Sequence, residues 1–201
     1  MSAEPGEVVR ADGTALAELI AGLTVDVPDY PEPGILFRDL TPVFADGAAF
    51  AAMVAGLAAV SDPRVAAVTG RPDAAADPGF DVVVGVEARG FLLAAAVALA
   101  TGVGVVPVRK AGKLPRERIS AAYELEYGTA TLELHADSVR PGKRVLVVDD
   151  VLATGGTLGA AISLVERLGG VVVAVSVVVE LAALGGRERI APHAVHALWI
   201  T

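Results

Sequence analysis

Four valine-rich runs govern what this chain can become. They are Asp81–Gly85 (DVVVG), Val103–Val108, Arg144–Val148 (RVLVV) and Val171–Val179. A strand with one face in water alternates apolar and polar residues, whereas a strand covered on both faces does not. These runs do not alternate, so each predicts a buried strand. Between them lie segments that read as helices, Gly90–Ala100 and Thr157–Leu168, the second with Gly169 as its stop. Buried strands interleaved with helices predict an α/β fold: a twisted, mostly parallel sheet flanked by helices.

Composition agrees. The chain has 201 residues, enough for one domain with a sizeable core. It carries 38 Ala and 32 Val but only nine aromatic residues, so the core is built from small side chains on closely packed elements. No cysteine is present, which excludes a disulfide scaffold and a zinc–thiolate site. The net charge is −8, opposite in sign to that of a general nucleic-acid binder, so no nucleic-acid partner is expected. Gly90–Val108 holds nineteen residues without a charge, the length of a membrane span. Gly102, Gly104 and Pro107 break it into a helix and a strand, so no membrane partner is expected either. Met1–Arg10 carries Glu4 and Glu7 and no apolar stretch, unlike a signal peptide. A cytoplasmic protein is expected.

The remaining chain adds smaller pieces. Residues 1–13 read as a loose segment and 14–201 as a single domain. Thr14–Leu23 predicts a short amphipathic helix. Residues 25–44 hold four prolines and cannot be a regular helix. Asp46 suits the N-cap of an Ala-rich helix reaching about Val60. Residues 61–80 are rich in breakers. Ile119–Tyr127 and Thr129–His135 alternate, and Gly128 between them predicts a hairpin.

The chemistry concentrates in Val147–Thr157, VVDDVLATGGT. A buried strand leads into two adjacent acids, Asp149 and Asp150. The turn Ala153-Thr154-Gly155-Gly156-Thr157 then opens a helix. Ligands of open α/β sheets bind outside the carboxyl ends of strands. A Gly-rich turn at a helix N-terminus offers N–H groups and a positive dipole end to a phosphate. The lysine of nucleotide-triphosphatase loops is missing, and so is GxGxxG. Two carboxylates beside a phosphate cradle need partners of their own. Sugar hydroxyls, alongside Mg²⁺, supply them. The segment therefore reads as a sugar-phosphate site. A second turn of this kind, Glu87-Ala88-Arg89-Gly90, follows the strand at Gly85, with Arg89 placed to meet phosphate oxygens.

The Val147–Thr157 segment resembles the phosphoribosyl pyrophosphate signature of the type I phosphoribosyltransferases. Four more segments resemble the adenine branch of that family: YPEPGILFRDLTPV (30–43), GVEARGF (85–91), RKAGKLP with SAAYELEYGTATLELHADS (109–138), and VELAALGGRERIAP (179–192). The resemblance runs from about Thr14 to the end. It implies transfer of a phosphoribosyl group from phosphoribosyl pyrophosphate to adenine, with AMP and pyrophosphate as products, Mg²⁺ bound mainly through the substrate, and a homodimer.

The resemblance also distributes roles. Asp149 and Asp150 would hold the ribose hydroxyls, and residues 153–157 the 5′-phosphate. Glu87, Ala88 and Arg89 would line the pyrophosphate side, with a cis peptide at Glu87–Ala88. Leu36, Phe37 and Arg38 would meet the adenine from a hood at about 25–44. A lid at about 109–128 would bring Lys110, Lys113 and Tyr127 to the substrate and Glu126 to the purine proton. Arg109, Lys110, Lys113, Arg116 and Arg118 place five of sixteen basic residues in ten positions, suited to pyrophosphate. Read without the resemblance, the same cations are a solvated loop, Glu124 and Glu126 are solvent-facing strand acids, and Leu36 and Phe37 are ordinary anchors. Two departures stand out: the long 61–80 loop, and Arg116 where many members carry glycine. Two alternatives stay open: a transferase for hypoxanthine, guanine or xanthine, and a non-catalytic regulator that binds phosphoribosyl pyrophosphate.

Overall fold

A computed structural model describes residues 13–60, 77–124 and 129–201. The chain forms two compact units, one ending at Met53 and one starting at Val54.

The first unit holds helix α1 (Gly13–Leu23), strands β1 (Val25–Pro28) and β2 (Leu36–Asp39), helix α2 (Thr41–Ala45) and the start of helix α3 (Gly47–Ala58). The proline-rich stretch is an antiparallel hairpin, with Pro28 opposite Leu36 and Val27 opposite Phe37. Its loop is tied by the Gly34 N–H, which donates to Asp29 Oδ1 at 2.7 Å. Tyr30 and Phe37 meet edge to face, centroids 5.2 Å apart. Asp46 caps α3: its Oδ1 accepts the N–H of Ala48 at 3.0 Å and of Ala49 at 2.8 Å, as its side chain suggests.

The second unit is built on one sheet. Among the described residues its strands are β3 (Val82–Val86), β4 (Gly104–Lys110), β5 (Arg118–Glu124), β6 (Thr129–His135), β7 (Arg144–Leu152), β8 (Val171–Glu180) and β9 (Val195–Ile200). Their order across the sheet is β5-β6-β4-β3-β7-β8-β9. The pairs β4–β3, β3–β7, β7–β8 and β8–β9 are parallel. The hairpin β5–β6 is antiparallel and joins the sheet at Arg109 and Lys110 of β4. Residues 125–128, Glu126, Tyr127 and the Gly128 of the expected hairpin turn among them, lie outside the described residues.

Helix α4 (Arg89–Thr101) packs on β3, β7 and β4, and helix α5 (Gly156–Arg167) on β5 to β8. Val145 and Val147 of β7 face a core completed by Leu158, Ile162, Leu164 and Val165 of α5, while Leu146 and Val148 are buried on the opposite face. Both faces of β7 are therefore apolar, which is why its sequence shows no alternation. Strand β7 runs past the expected Val148 to Leu152, because Asp149 and Val151 continue the pairing with Val177 and Val179 of β8. A 3₁₀ turn (Ala182–Leu184) and a one-turn helix, α6 (Gly186–Arg189), follow β8. Among the described residues no helix is long and apolar enough to cross a membrane.

The chain leaves β3 toward β4 on one side and later returns to β7 on the other. The carboxyl ends of β3 and β7 thus lie side by side at a reversal of strand order, where α/β sheets open a crevice for ligands.

Candidate active site

A cleft of about 400 Å³ opens at that reversal. Glu87, Ala88 and Arg89 line it from the end of β3, Asp149 through Leu158 from β7 and the start of α5, with Lys110 and Tyr123 at its sides. Its size suits a small phosphorylated ligand.

The acid pair sits in the wall of the cleft. Asp149 and Asp150 are each only 7% exposed. The Asp150 N–H donates to Asp149 Oδ1 at 2.9 Å, and Arg89 Nε donates to Asp150 Oδ2. Burial pushes the Asp149 carboxyl well above the usual carboxylate range, and the neighbouring Asp150 pushes it further in the same direction; the Asp150 N–H and Arg89 only partly oppose them. Gly90 leaves room for this arrangement. A Cβ there would stand 2.8 Å from Asp149 Oδ1 and 3.0 Å from the Val148 carbonyl oxygen.

The turn after β7 presents a helix start. Gly155 takes the left-handed conformation, φ +80° and ψ −1°, and no side chain caps α5 behind it. The first N–H groups of a helix have no acceptor within it, and Gly156, Thr157 and Leu158 all line the cleft. Backbone donors and a positive dipole end therefore face the same space as the two acids.

On the other wall the Glu87–Ala88 peptide is cis. Glu87 Oε2 accepts the Lys110 N–H at 2.9 Å and Arg109 Nε at 3.3 Å. Burial alone raises the Glu87 pKa, but these two donors outweigh it and hold the carboxyl below its ordinary value. Glu87 thereby ties the end of β3 to the end of β4.

The comparisons with known proteins bear on this geometry. Residues 71–196 match the family model described as "Phosphoribosyl transferase domain". An adenine phosphoribosyltransferase of Salinispora arenicola is 57% identical over 191 residues, covering 94% of each chain. One from Clavibacter sepedonicus is 57% identical over 189 residues, covering 94% of this chain and 91% of its own. The crystal structure of adenine phosphoribosyltransferase from Thermoanaerobacter pseudethanolicus superposes with a TM-score of 0.82 at 44% identity, covering 92% of this chain and 99% of its own. The chain belongs to the adenine phosphoribosyltransferases.

For an adenine phosphoribosyltransferase, the residues expected at the sugar phosphate come together: Glu87, Ala88, Arg89, Lys110, Asp149, Asp150 and residues 153–157 share the cleft. The cis peptide stands where the resemblance implied it. Leu36, Phe37 and Arg38 lie on β2 in the first unit, with Leu36 exposed. Glu126 and Tyr127 lie outside the described residues.

The basic run is not a free cationic surface. Arg109 pairs with Glu87, Arg116 with Asp137 at 2.6 Å, and Arg118 with the buried Glu133 at 3.0 Å. Glu133 also accepts the Gly112 N–H at 3.0 Å. Of the five cations only Lys110 lines the cleft, and Lys113, expected beside the pyrophosphate, is exposed outside that lining. His193 and His196, three positions apart in the chain, have different partners. His193 Nε2 lies 3.4 Å from Glu166 Oε1 and His196 Nε2 lies 3.1 Å from the Gly56 carbonyl oxygen.

Four residues of the cleft lining, Tyr123, Val151, Leu152 and Leu158, stand outside the site residues expected from the sequence, and of these Tyr123 comes from a distant strand. Tyr123 of β5 packs over the start of α5, its Cδ2 3.3 Å from where a Cβ of Gly156 would stand. The alternation of β5 does carry the signal: Ile119, Ala121 and Tyr123 share the half-buried face and Glu124 takes the exposed one.

Proposed function

We propose that this chain transfers the 5-phosphoribosyl group of phosphoribosyl pyrophosphate to N9 of adenine, releasing AMP and pyrophosphate in purine salvage. The observation that carries the reading is the meeting, in one cleft, of a buried acid pair with the uncapped start of α5. The names of the relatives support it. So does the Saccharomyces cerevisiae adenine phosphoribosyltransferase, 36% identical with a TM-score of 0.80 over 92% of this chain and 99% of its own, whose crystal structure is complexed with an imino-altritol bisphosphate and adenine.

In this reading residues 153–157 hold the 5′-phosphate with backbone N–H groups and the hydroxyls of Thr154 and Thr157. Asp149 and Asp150 hold the ribose hydroxyls and favour positive charge at the anomeric carbon. The bond from that carbon to the pyrophosphate oxygen breaks, its bond to N9 forms, and the N9 proton passes to Glu126. Leu36, Phe37 and Arg38 orient the base, and Tyr127 stands near the reacting groups. Arg89 meets the departing pyrophosphate while its Nε stays on Asp150, so leaving group and acid pair are positioned together. Lys110 adds charge at the wall, and Lys113 reaches in from the lid.

The donor set fits Mg²⁺ carried by the substrate. Among the described residues no group of three or more His, Cys, Asp or Glu is placed to hold an ion alone, while two carboxylates border the cleft. Asp149 and Asp150 would share the ion with substrate oxygens, and its contribution when bound is neutralisation of the pyrophosphate charge.

We place the enzyme in the cytoplasm as a homodimer. Leu92 and Leu99, seven residues apart on α4, are 57% and 85% exposed, which supports burial against a second copy. Light scattering is expected to give about twice the chain mass of 20.3 kDa, and Leu99→Glu a single chain. A wild-type monomer would remove the dimer from this reading.

The decisive assay is product chromatography with phosphoribosyl pyrophosphate, Mg²⁺ and each of adenine, hypoxanthine, guanine and xanthine. AMP from adenine alone is expected. Product from another base would overturn the base assignment, and absence of product from all four would leave a phosphoribosyl pyrophosphate-binding regulator.

A further inference from the structure

The phosphate-binding turn rests on a part of the chain that the proposed reaction does not use. Gly155 and Gly186 meet backbone to backbone. A Cβ on Gly155 would stand 2.7 Å from the Gly186 carbonyl oxygen and 3.2 Å from Gly186 Cα. A Cβ on Gly186 would collide with the Ala153 carbonyl oxygen, and would stand 2.7 Å from Leu152 Cδ1 and 3.0 Å from Gly155 N. Gly186 is buried, so a side chain there has no route outward. The turn behind β8 is thus moulded against the turn behind β7 with no atom to spare.

That second turn is itself anchored. Arg187 Nε donates to Glu180 Oε1 at 2.9 Å, a second guanidinium nitrogen donates to Glu180 Oε2, and Nη1 donates to the Val195 carbonyl oxygen at 2.9 Å. Glu180 is the last residue of β8 and is buried, so its carboxylate depends on Arg187. The Leu181 N–H donates to the Leu152 carbonyl oxygen at 2.9 Å and joins the ends of β7 and β8 just below both turns. Ile190, at the end of α6, packs within 3.8 Å of where a Cβ of Gly159 on α5 would stand.

We propose that residues 185–187 form the floor of the phosphate-binding turn, and that Gly186, Arg187 and Glu180 are positioning residues for the 5′-phosphate. They do not line the cleft. They act by holding Ala153 and Gly155 at the height from which the N–H groups of 155–157 converge. The proposal rests on the reading of residues 153–157 as the phosphate site. Displacement of such donors by a fraction of an ångström weakens phosphate binding and leaves the base contacts alone.

The test measures ribose 5-phosphate binding by calorimetry, the KM values for phosphoribosyl pyrophosphate and adenine, and the melting temperature of each variant without ligand. Gly186→Ala is expected to weaken ribose 5-phosphate and raise the KM for phosphoribosyl pyrophosphate by about tenfold or more, with the adenine KM within about twofold of wild type. Arg187→Met should show the same split to a smaller degree, and Arg187→Lys should recover part of it. If Gly186→Ala does not fold, Arg187→Met and Glu180→Gln carry the test. Unchanged ribose 5-phosphate binding in the folded variants overturns the proposal. So does an equal loss for adenine and ribose 5-phosphate, because general loosening moves both. A wild-type protein that binds ribose 5-phosphate but makes no AMP would fail the functional reading and leave this inference standing. A wild type that does not bind ribose 5-phosphate would overturn this inference, whatever its products.

Discussion

Asp149→Asn is expected to leave a folded protein that is more stable without ligand and nearly inactive. Asparagine keeps the size of the side chain and an oxygen to accept the Asp150 N–H, now at 2.9 Å from Asp149 Oδ1. It removes a charge that burial and Asp150 together disfavour. The pH dependence follows from the direction of that shift. Below the ordinary aspartate value, folded and unfolded chains both hold the proton. Above it, the unfolded chain has released the proton while the folded chain keeps it up to its raised pKa. Native stability from this group is therefore present at low pH and lost as pH rises through the window between the two values. Asp149→Asn abolishes that slope and, at neutral pH, raises the melting temperature by about 3–6 °C, the size of shift that relief of one strained functional group gives in a chain of this length. Catalytic efficiency should fall about 100-fold or more, because asparagine can never supply the anionic form that positive charge developing on a bound ribose would draw from Asp149. Calorimetry at several pH values and steady-state kinetics check both halves. A variant that is less stable at neutral pH would contradict the buried-charge account, and one with wild-type kinetics would remove Asp149 from the mechanism.

Glu126→Gln is expected to lower kcat by about 10²–10⁴-fold with little change in either KM. Glutamine keeps the shape and one acceptor oxygen of the side chain but cannot take the N9 proton at a useful rate. A binding residue would show the reverse pattern, a raised KM at near-constant kcat. The pH profile adds a second readout: the wild-type limb that reports the general base should be absent from the residual activity of the variant. Equal losses in kcat and in substrate affinity, or no loss, would remove Glu126 from this role.

The frame of the molecule was written plainly in the chain. A parallel strand covered on both faces draws apolar residues to both, and that preference leaves a near-continuous apolar trace in DVVVG, RVLVV and Val171–Val179, broken in the last only by the buried Ser176. Val103–Val108 reads the same way, yet β4 exposes Gly104, Val105 and Pro107 and buries only Val108 of that run. Capping is as local: Asp46 reaches the N–H groups of Ala48 and Ala49 two and three residues on, and nothing distant decides it. The acid pair and glycine turn are equally local, because strand, acids, turn and helix follow one another within eleven residues, Val147–Thr157.

Other features depend on residues far apart in the chain. The cations of 109–118 look alike in sequence, yet Arg109, Arg116 and Arg118 are taken by Glu87, Asp137 and Glu133. Lys110 reaches the cleft because β4 ends there. Tyr123 joins the site only because the β5–β6 hairpin lies beside the start of α5. The raised pKa of Asp149 arises from its burial in the folded sheet, and adjacency to Asp150 alone would not produce it. The contact of Gly155 with Gly186 spans thirty-one positions and has no signature in either segment, since each reads as an ordinary glycine turn. Backbone preference and solvent exclusion act on each residue and its immediate neighbours, so they can be read along the chain. Charge pairing, desolvation and close backbone approach act through space, so they exist only once the sheet has brought the ends of its strands together.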